Sequence, residues 1–216
     1  MNPQIRDPLS LPNKGPLLLH SCCAPCAGEI MESLIESKIN FSIFYYNPNI
    51  HPKKEYNIRK EENIEFAKKH NIEFIDADYD IENWFNQTKG MEFEPERGVR
   101  CTKCFDIRFI KTAEYAEQHG FNVICSTLGL SRWKNMDQIN ECGIKSAKQY
   151  KNIIYWTHNW RKKGGSKQMY KIAKKESFYK QEYCGCVYSL RDTNQWRKKT
   201  DRKPIRFGEE FYNFDC

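Results

Sequence analysis

Seven of the ten cysteines in this 216-residue chain fall into three short motifs: Cys22-Cys23-x-x-Cys26, Cys101-x-x-Cys104 and Cys184-Gly185-Cys186. Thiolates bind soft metals or carry electrons. Cys101 and Cys104 lie three apart at the expected start of a helix, so both thiols can face one point. Cys22 and Cys23 end an expected strand, where a bend into a helix aims both side chains at a common site. Four thiolates from two segments satisfy either a tetrahedral zinc or a [4Fe–4S] cluster. Structural zinc sites usually pair two spaced Cys-x(2–4)-Cys knuckles, which adjacent cysteines at a strand end fit poorly. That departure favours iron–sulfur or another redox metal. Cys26 reads as a fifth ligand, a ligand to a second metal, or a packed helix cysteine.

Cys184-Gly185-Cys186 reads differently. The spacing is tight for a disulfide, but the glycine frees the backbone. A strained, exposed disulfide is labile and oxidising, which suits a dithiol that delivers two electrons. The alternative is a pair of ligands completing a metal site. Cys125, Cys142 and Cys216 stand apart and read as packing or surface residues.

The elements that must position these thiols alternate. Leu17 to His20 is a short apolar run expected as a buried strand. Pro25 suits the first turn of a helix carrying Ile30, Met31, Leu34 and Ile35. Phe41 to Tyr46 is a second strand and Ile72 to Ile75 a third. Lys53 to His70 between them is a charged surface helix with Tyr56, Ile64 and Ala67 as a thin apolar stripe. Cys101 to Gln118 is a helix with Ile107, Ile110, Ala113 and Ala116 inward and Gly120 as its stop. Val123 to Thr127, a helix over Gln138 to Tyr150, and Ile153 to Trp156 continue the alternation. The expected class is α/β, a parallel sheet with flanking helices, whose ligands bind at the carboxyl ends of the strands. After Trp156 the chain is basic and irregular.

The formal net charge of +7 and the 14% aromatic content bound the function further. Lysines and arginines from Arg161 to Lys180 are interleaved with Trp156, His158, Trp160, Tyr170, Phe178, Tyr179 and Tyr183. Cations on phosphate beside aromatics under splayed bases are a single-stranded RNA recipe. The alternative is a solvated basic face over a small aromatic core. No apolar run approaches the ~18 residues of a membrane helix. Met1 to Pro16 has no signal-peptide pattern. The expected address is the cytoplasm, where paired cysteines more often bind metal or do redox chemistry than form structural disulfides. There is no G-x-x-x-x-G-K-[ST] loop and no G-x-G-x-x-G.

Several longer blocks resemble a known family. They are Cys22-Cys23-Ala24-Pro25-Cys26 after a strand; Tyr45 to Pro52 with Glu55, Tyr56 and Arg59; and Arg100-Cys101-Thr102-Lys103-Cys104-Phe105 with Arg108. Ser126-Thr127-Leu128 through Lys134 and Phe178 to Ser189 complete the set. In this order, from about Leu17 to Asp192, the chain resembles the QueH-type epoxyqueuosine reductases. The resemblance implies the last step of queuosine synthesis, reductive removal of the epoxide oxygen from epoxyqueuosine at the wobble position of tRNA. It also implies a [4Fe–4S] cluster, a second iron in some form, and a fold like the adenine-nucleotide alpha-hydrolase (HUP-like) superfamily with a mostly helical basic C-terminal part.

On this reading residues 1–16 are an N-terminal extension, 17–192 one catalytic domain and 193–216 a C-terminal extension. Cys22, Cys23, Cys101 and Cys104 are the expected cluster ligands, with Cys26 a further metal ligand. Cys184 and Cys186 are the catalytic dithiol, re-reduced by an electron donor that the sequence does not identify. Arg100, Arg108, Lys134 and Tyr183 are expected at the tRNA, and Ser126 at a polar contact. Two positions depart from the pattern: Lys180 stands where arginine is expected, and Cys26 where some members carry an acid.

Two rivals remain at this point. An ATP-dependent, iron–sulfur tRNA-thiolating enzyme should carry a Ser-Gly-Gly-type pyrophosphate loop after the first strand, where this chain has Cys22-Cys23-Ala24-Pro25. A zinc-stapled RNA-binding module without catalysis should hold one zinc and be colourless.

Overall fold

The computed structural model describes residues 8–206; Cys216 and the first seven residues lie outside them. Strands β1 (Leu17–His20), β2 (Phe41–Tyr45), β3 (Phe74–Asp76), β4 (Val123–Ser126) and β5 (Ile154–Tyr155) form one sheet in the order β3-β2-β1-β4-β5. All pairings are parallel, as helical crossovers require. The helices are α1 (Ala24–Glu36), α2 (Lys53–Lys69), α3 (Ile81–Thr88), α4 (Val99–Gln118), α5 (Met136–Ala147), α6 (Gly165–Lys175) and α7 (Val187–Lys199).

Side chains alternate across β1. Leu17 and Leu19 pack with Ala27, Ile30 and Leu34 of α1 and Phe66 of α2. Leu18 packs on the other face with Phe109 and Ala113 of α4 and Ile139 of α5. All three leucines are fully buried, each worth roughly 1.5–3 kcal/mol. A one-residue slip would exchange the two faces, so the register of β1 is firmly set.

From β1 the chain moves outward to β2 and β3, then returns past β1 to β4. Connections leaving the carboxyl ends of β1 and β4 therefore diverge, which opens a crevice between them. Cys22 and Cys23 leave β1 there, and Thr127 leaves β4.

The structure departs from the sequence reading in four places. In α4 the inward residues include Phe105, Phe109 and Thr112, whereas Ile110 is exposed; steps of three drift around a helix of 3.6 residues per turn. In α2 the inward row includes Glu55, Arg59 and Asn63, one turn apart and fully buried or nearly so. This helix is therefore not a surface element held by a thin apolar stripe. Helix α3 carries the fully buried Trp84 and has its N-cap at Asp80, whose carboxylate accepts from Asn83 N. The basic region after β5, irregular by periodicity, is helical as the resemblance implies and forms α6 and α7. Among the described residues no helix is long and apolar enough to cross a membrane.

Candidate functional site

Cys23 is the extended N-cap residue of α1, and Pro25 follows in the first turn. This bend places the Sγ atoms of Cys22, Cys23 and Cys26 within 4.8 Å of one another. Cys26, one turn into α1, thus stands with Cys22 and Cys23 as a single group. All three are buried. Cys22 is held well below the ordinary thiol range, chiefly because Cys23 and Cys26 donate hydrogen bonds to its sulfur. Arg108 and Lys134 add favourable charge. The same contacts push Cys23 up to about 12 and raise Cys26. In this trio negative charge is favoured on Cys22, at the positive end of a helix.

A buried polar relay lies beneath. Arg108 Nη2 donates to Asn47 Oδ1 at 2.6 Å, and Asn47 Nδ2 donates to the Ser21 carbonyl at 2.8 Å. Ser21 Oγ donates to Asn63 Oδ1 at 2.6 Å, and Asn63 Nδ2 to the Arg59 carbonyl at 2.6 Å. His20 sits between Ser126 Oγ, the Tyr46 carbonyl and Arg108 Nε. Burial, helped by Arg108, lowers its pKa to about 3, so the ring is neutral.

Across the crevice, the first turns of α4 present Cys101 and Cys104. Cys101 Sγ accepts from Arg97 N at 3.3 Å, and its thiol is pushed up to about 12, first by burial and then by charge at Cys184. Cys101, Cys104, Cys184 and Cys186 line one cleft with Phe105 and Lys134, enclosing about 340 Å³ including its open mouth.

The Cys184-Gly185-Cys186 loop is fastened through its backbone. Arg59 donates to the Cys184 and Tyr183 carbonyls at 3.1 and 3.2 Å, and its charge is balanced by Glu55 at 2.7 Å. His51 N donates to the Gly185 carbonyl at 2.8 Å, and Val187 N donates to His51 Nδ1. Gly185 has φ of +142°, and a Cβ there would lie 3.3 Å from Arg59 Nη1, so the position requires glycine. Both thiols are free. Cys184 is exposed and accepts from Lys134 Nζ at 2.8 Å. Cys186 accepts from Ser189 N at 3.3 Å, and burial raises its thiol to about 11.

Of the other expected site residues, Arg100, Arg108 and Lys134 line the same cleft. Arg100 and Arg108 are buried, with 1% and 2% exposure. Arg108 anchors the relay, and Arg100 Nη1 donates to the carbonyls of Met91 and Glu92. Tyr183 is buried and its hydroxyl donates to the His51 carbonyl, so it braces the loop. Lys134 Nζ donates to Cys184 Sγ. Arg161 braces the turn after β4, donating to the carbonyls of Gly129, Ser131 and Lys134. Trp160 is buried, and Cys125 and Cys142 pack in the core. The sequence reading passed over Trp84, exposed Trp133 and the partnerships of Arg59. The Arg59 motif was visible, but nothing local marks a charged residue as buried.

A family model described as "Epoxyqueuosine reductase QueH" matches residues 17–192. The chain belongs to the epoxyqueuosine reductase QueH family. It is 63% identical over 214 residues to the QueH protein of Haemophilus influenzae, covering 99% of this chain and 87% of that one. It is also 63% identical over 209 residues to QueH of Acinetobacter baylyi, covering 96% of each. Identity to QueH of Thermotoga maritima is 29% over 192 residues, covering 88% of this chain and 97% of that one. As a QueH enzyme, the protein is an oxidoreductase of tRNA queuosine synthesis that reduces epoxyqueuosine. Among solved structures it is similar to a U34-tRNA thiolase from Methanococcus maripaludis determined with its [4Fe-4S] cluster. The TM-score is 0.51 and the identity 11%, covering 87% of this chain and 68% of that one. At that identity the likeness shows the shared HUP-like fold.

Proposed function

We propose that Cys22, Cys23, Cys101 and Cys104 hold a [4Fe–4S] cluster, that Cys26 is available to a further iron, and that Cys184 and Cys186 form the dithiol that turns over. The observation carrying this reading is the buried trio Cys22, Cys23 and Cys26, packed in one cluster with Cys104 and against Cys101 and Cys186. The donor set is sulfur-rich, and a thiolate-bearing trio at a helix N-terminus fits a thiophilic metal. When bound, such a group supplies electron transfer and a Lewis acid for the departing oxygen.

The chain's own residues account for the stoichiometry. Removing the epoxide oxygen to leave an alkene takes two electrons and two protons and releases water. Oxidation of Cys184 and Cys186 from two thiols to one disulfide supplies both pairs. An external dithiol reductant restores them. Lys134 Nζ, 2.8 Å from Cys184 Sγ, holds a proton at that sulfur.

The mouth of the site suits the anticodon loop of a tRNA. Trp133 is 78% exposed beside Lys134 and Cys184. Its carbonyl is gripped by Arg97 Nε at 2.8 Å, while the braces from Arg161 fix the same turn. An open ring on a fixed turn, flanked by Arg97 and Arg132, is a stacking platform with cations for phosphate. The exposed lysines of α6 begin nearby, where Gly165 packs on the Trp160 carbonyl and Leu130.

Anaerobic purification followed by iron and sulfide analysis tests the reading. Brown protein with broad visible absorbance and equal iron and sulfide supports it. Colourless protein holding one zinc overturns it.

A further inference from the structure

Four buried polar atoms around the cleft have no hydrogen-bond partner among the described residues. They are Nε and Nη2 of Arg100, Nε1 of Trp84 and Oδ1 of Asn49. All three residues line the cleft together with Cys104 and Cys186. Their exposures are 1%, 0% and 4%. Everything else about them is settled. Arg100 Nη1 is spent on two carbonyls, and its guanidinium rests 4.8 Å from the centre of the Tyr188 ring. The Trp84 indole is packed against His51 and Tyr188. Two fixed frames and a carboxamide thus carry three idle donors and one idle acceptor beside the thiols. Buried groups left in this state are costly, a guanidinium most of all.

The chemistry of the missing partner follows from that set. Three donors call for oxygen lone pairs. The acceptor calls for an O–H or N–H. A phosphodiester offers nothing to Asn49 Oδ1, an ammonium repels the guanidinium, and an apolar group leaves all four atoms unpaired. A compact ring bearing adjacent hydroxyl and ether oxygens satisfies every one, because each hydroxyl both donates and accepts.

We propose that Arg100, Trp84 and Asn49 read the oxygen functions of the epoxide-bearing cyclopentane diol, setting which modified nucleoside is accepted. Arg100 and Trp84 donate to its oxygens, and Asn49 accepts from a hydroxyl. The assignment rests on the family's reaction taking place in this cleft. It adds the part of the pocket that distinguishes the modified ring from an ordinary base.

Trp84→Phe tests it, because the substitution keeps the packed ring and removes only the N–H. The probes are two anticodon stem–loop RNAs, one carrying epoxyqueuosine at the wobble position and one carrying guanosine. Their dissociation constants are measured by fluorescence anisotropy on the purified holoenzyme. Wild type is expected to prefer the modified loop. Trp84→Phe and Arg100→Lys should each shrink that preference about tenfold, with the guanosine loop bound as before. The melting temperature of Trp84→Phe without RNA should be unchanged or higher, since the lost N–H had no partner. An unchanged preference with a lower melting temperature would overturn the proposal in favour of a structural water. Equal weakening on both RNAs would overturn it in favour of packing. Asn49→Ser carries the same test if Arg100→Lys fails to fold. Loss of binding to both loops by wild type would count against the RNA mouth, a result distinct from either.

Discussion

Two groups of thiols, both within electrostatic reach of Lys134, are held by opposite means. Cys22, Cys23 and Cys26 stand where the central strand turns into α1, in the interior, with Arg108 and the relay to Asn63 beneath them. Cys184 and Cys186 stand on a loop that belongs to no strand. It is fastened by its carbonyls to Arg59 and His51, with one sulfur exposed and the other capping α7. The first arrangement fixes the side chains themselves. The second fixes the main chain and leaves the sulfurs able to exchange partners. The first kind of support suits the proposed metal ligands, and the second suits the proposed dithiol that opens and closes.

The sharpest break between the two groups is in metal content. Cys22→Ser or Cys23→Ser should abolish bound iron and sulfide. Cys184→Ser and Cys186→Ser should keep both while turnover falls about a thousandfold or more. Loss of iron from the second pair would erase the distinction and make those residues ligands.

The loop's fastening gives the next largest effect. Arg59→Met leaves the Glu55 carboxylate buried without its partner, which should cost about 3–5 kcal/mol in urea unfolding. The double variant Glu55→Gln/Arg59→Met should lose less. Equal losses would show that the pair acts by packing alone.

His51 offers a milder way to loosen the same loop. Its Nε2 faces the Pro48 carbonyl while Nδ1 accepts from Val187 N, which fixes a neutral tautomer. Burial lowers its pKa from 6.5 to about 4. Between those values the unfolded chain binds the proton and the native one does not. Stability should therefore fall as pH drops through that window, by up to about 1.4 kcal/mol per pH unit from this group. Chemical denaturation of wild type and His51→Asn across the window reads the difference. Parallel slopes in the two would remove His51 from the account.

Smaller effects belong to the cleft's mouth. Trp133→Ala should weaken anticodon stem–loop affinity about tenfold, with Trp133→Tyr recovering most of it. An unchanged dissociation constant would return the ring to the solvent. Lys134→Met should slow alkylation of Cys184 severalfold to about tenfold, and Lys134→Arg should do so less. Equal rates in all three proteins would mean that the 2.8 Å contact has no chemical effect.

Much of this comparison could be read from residue order. The three cysteine motifs, the alternation of strands and helices, and the placing of Cys22 and Cys23 at a strand end all follow from local patterns. What escaped has a common cause. Glu55, Arg59 and Asn63 share one face of α2 through polar, not apolar, spacing, and a search for hydrophobic periodicity passes over them. Trp84 lies in an eight-residue helix too short to show a period. The burial of Arg100 and Arg108 escaped because burial of a guanidinium depends on carbonyls and amides contributed from remote segments. Lys134 is fifty residues from Cys184, and only the folded chain makes them neighbours.

The cap of α7 has a consequence for how the two oxidation levels differ. Its first turn leans on Cys186 Sγ through Ser189 N, while Ser189 Oγ accepts from Gly185 N and donates to the Cys186 carbonyl. A helix whose opening hydrogen bond ends on a sulfur has its fraying tuned by the electron density of that atom. Closing a disulfide through Cys186 replaces the hydrogen on the acceptor sulfur with a second sulfur and re-aims its lone pairs. The loosened first turn would reach the molecular surface along α7, whose far end is strongly basic with Arg197, Lys198 and Lys199. Amide exchange at Val187 to Ser189 would report the change.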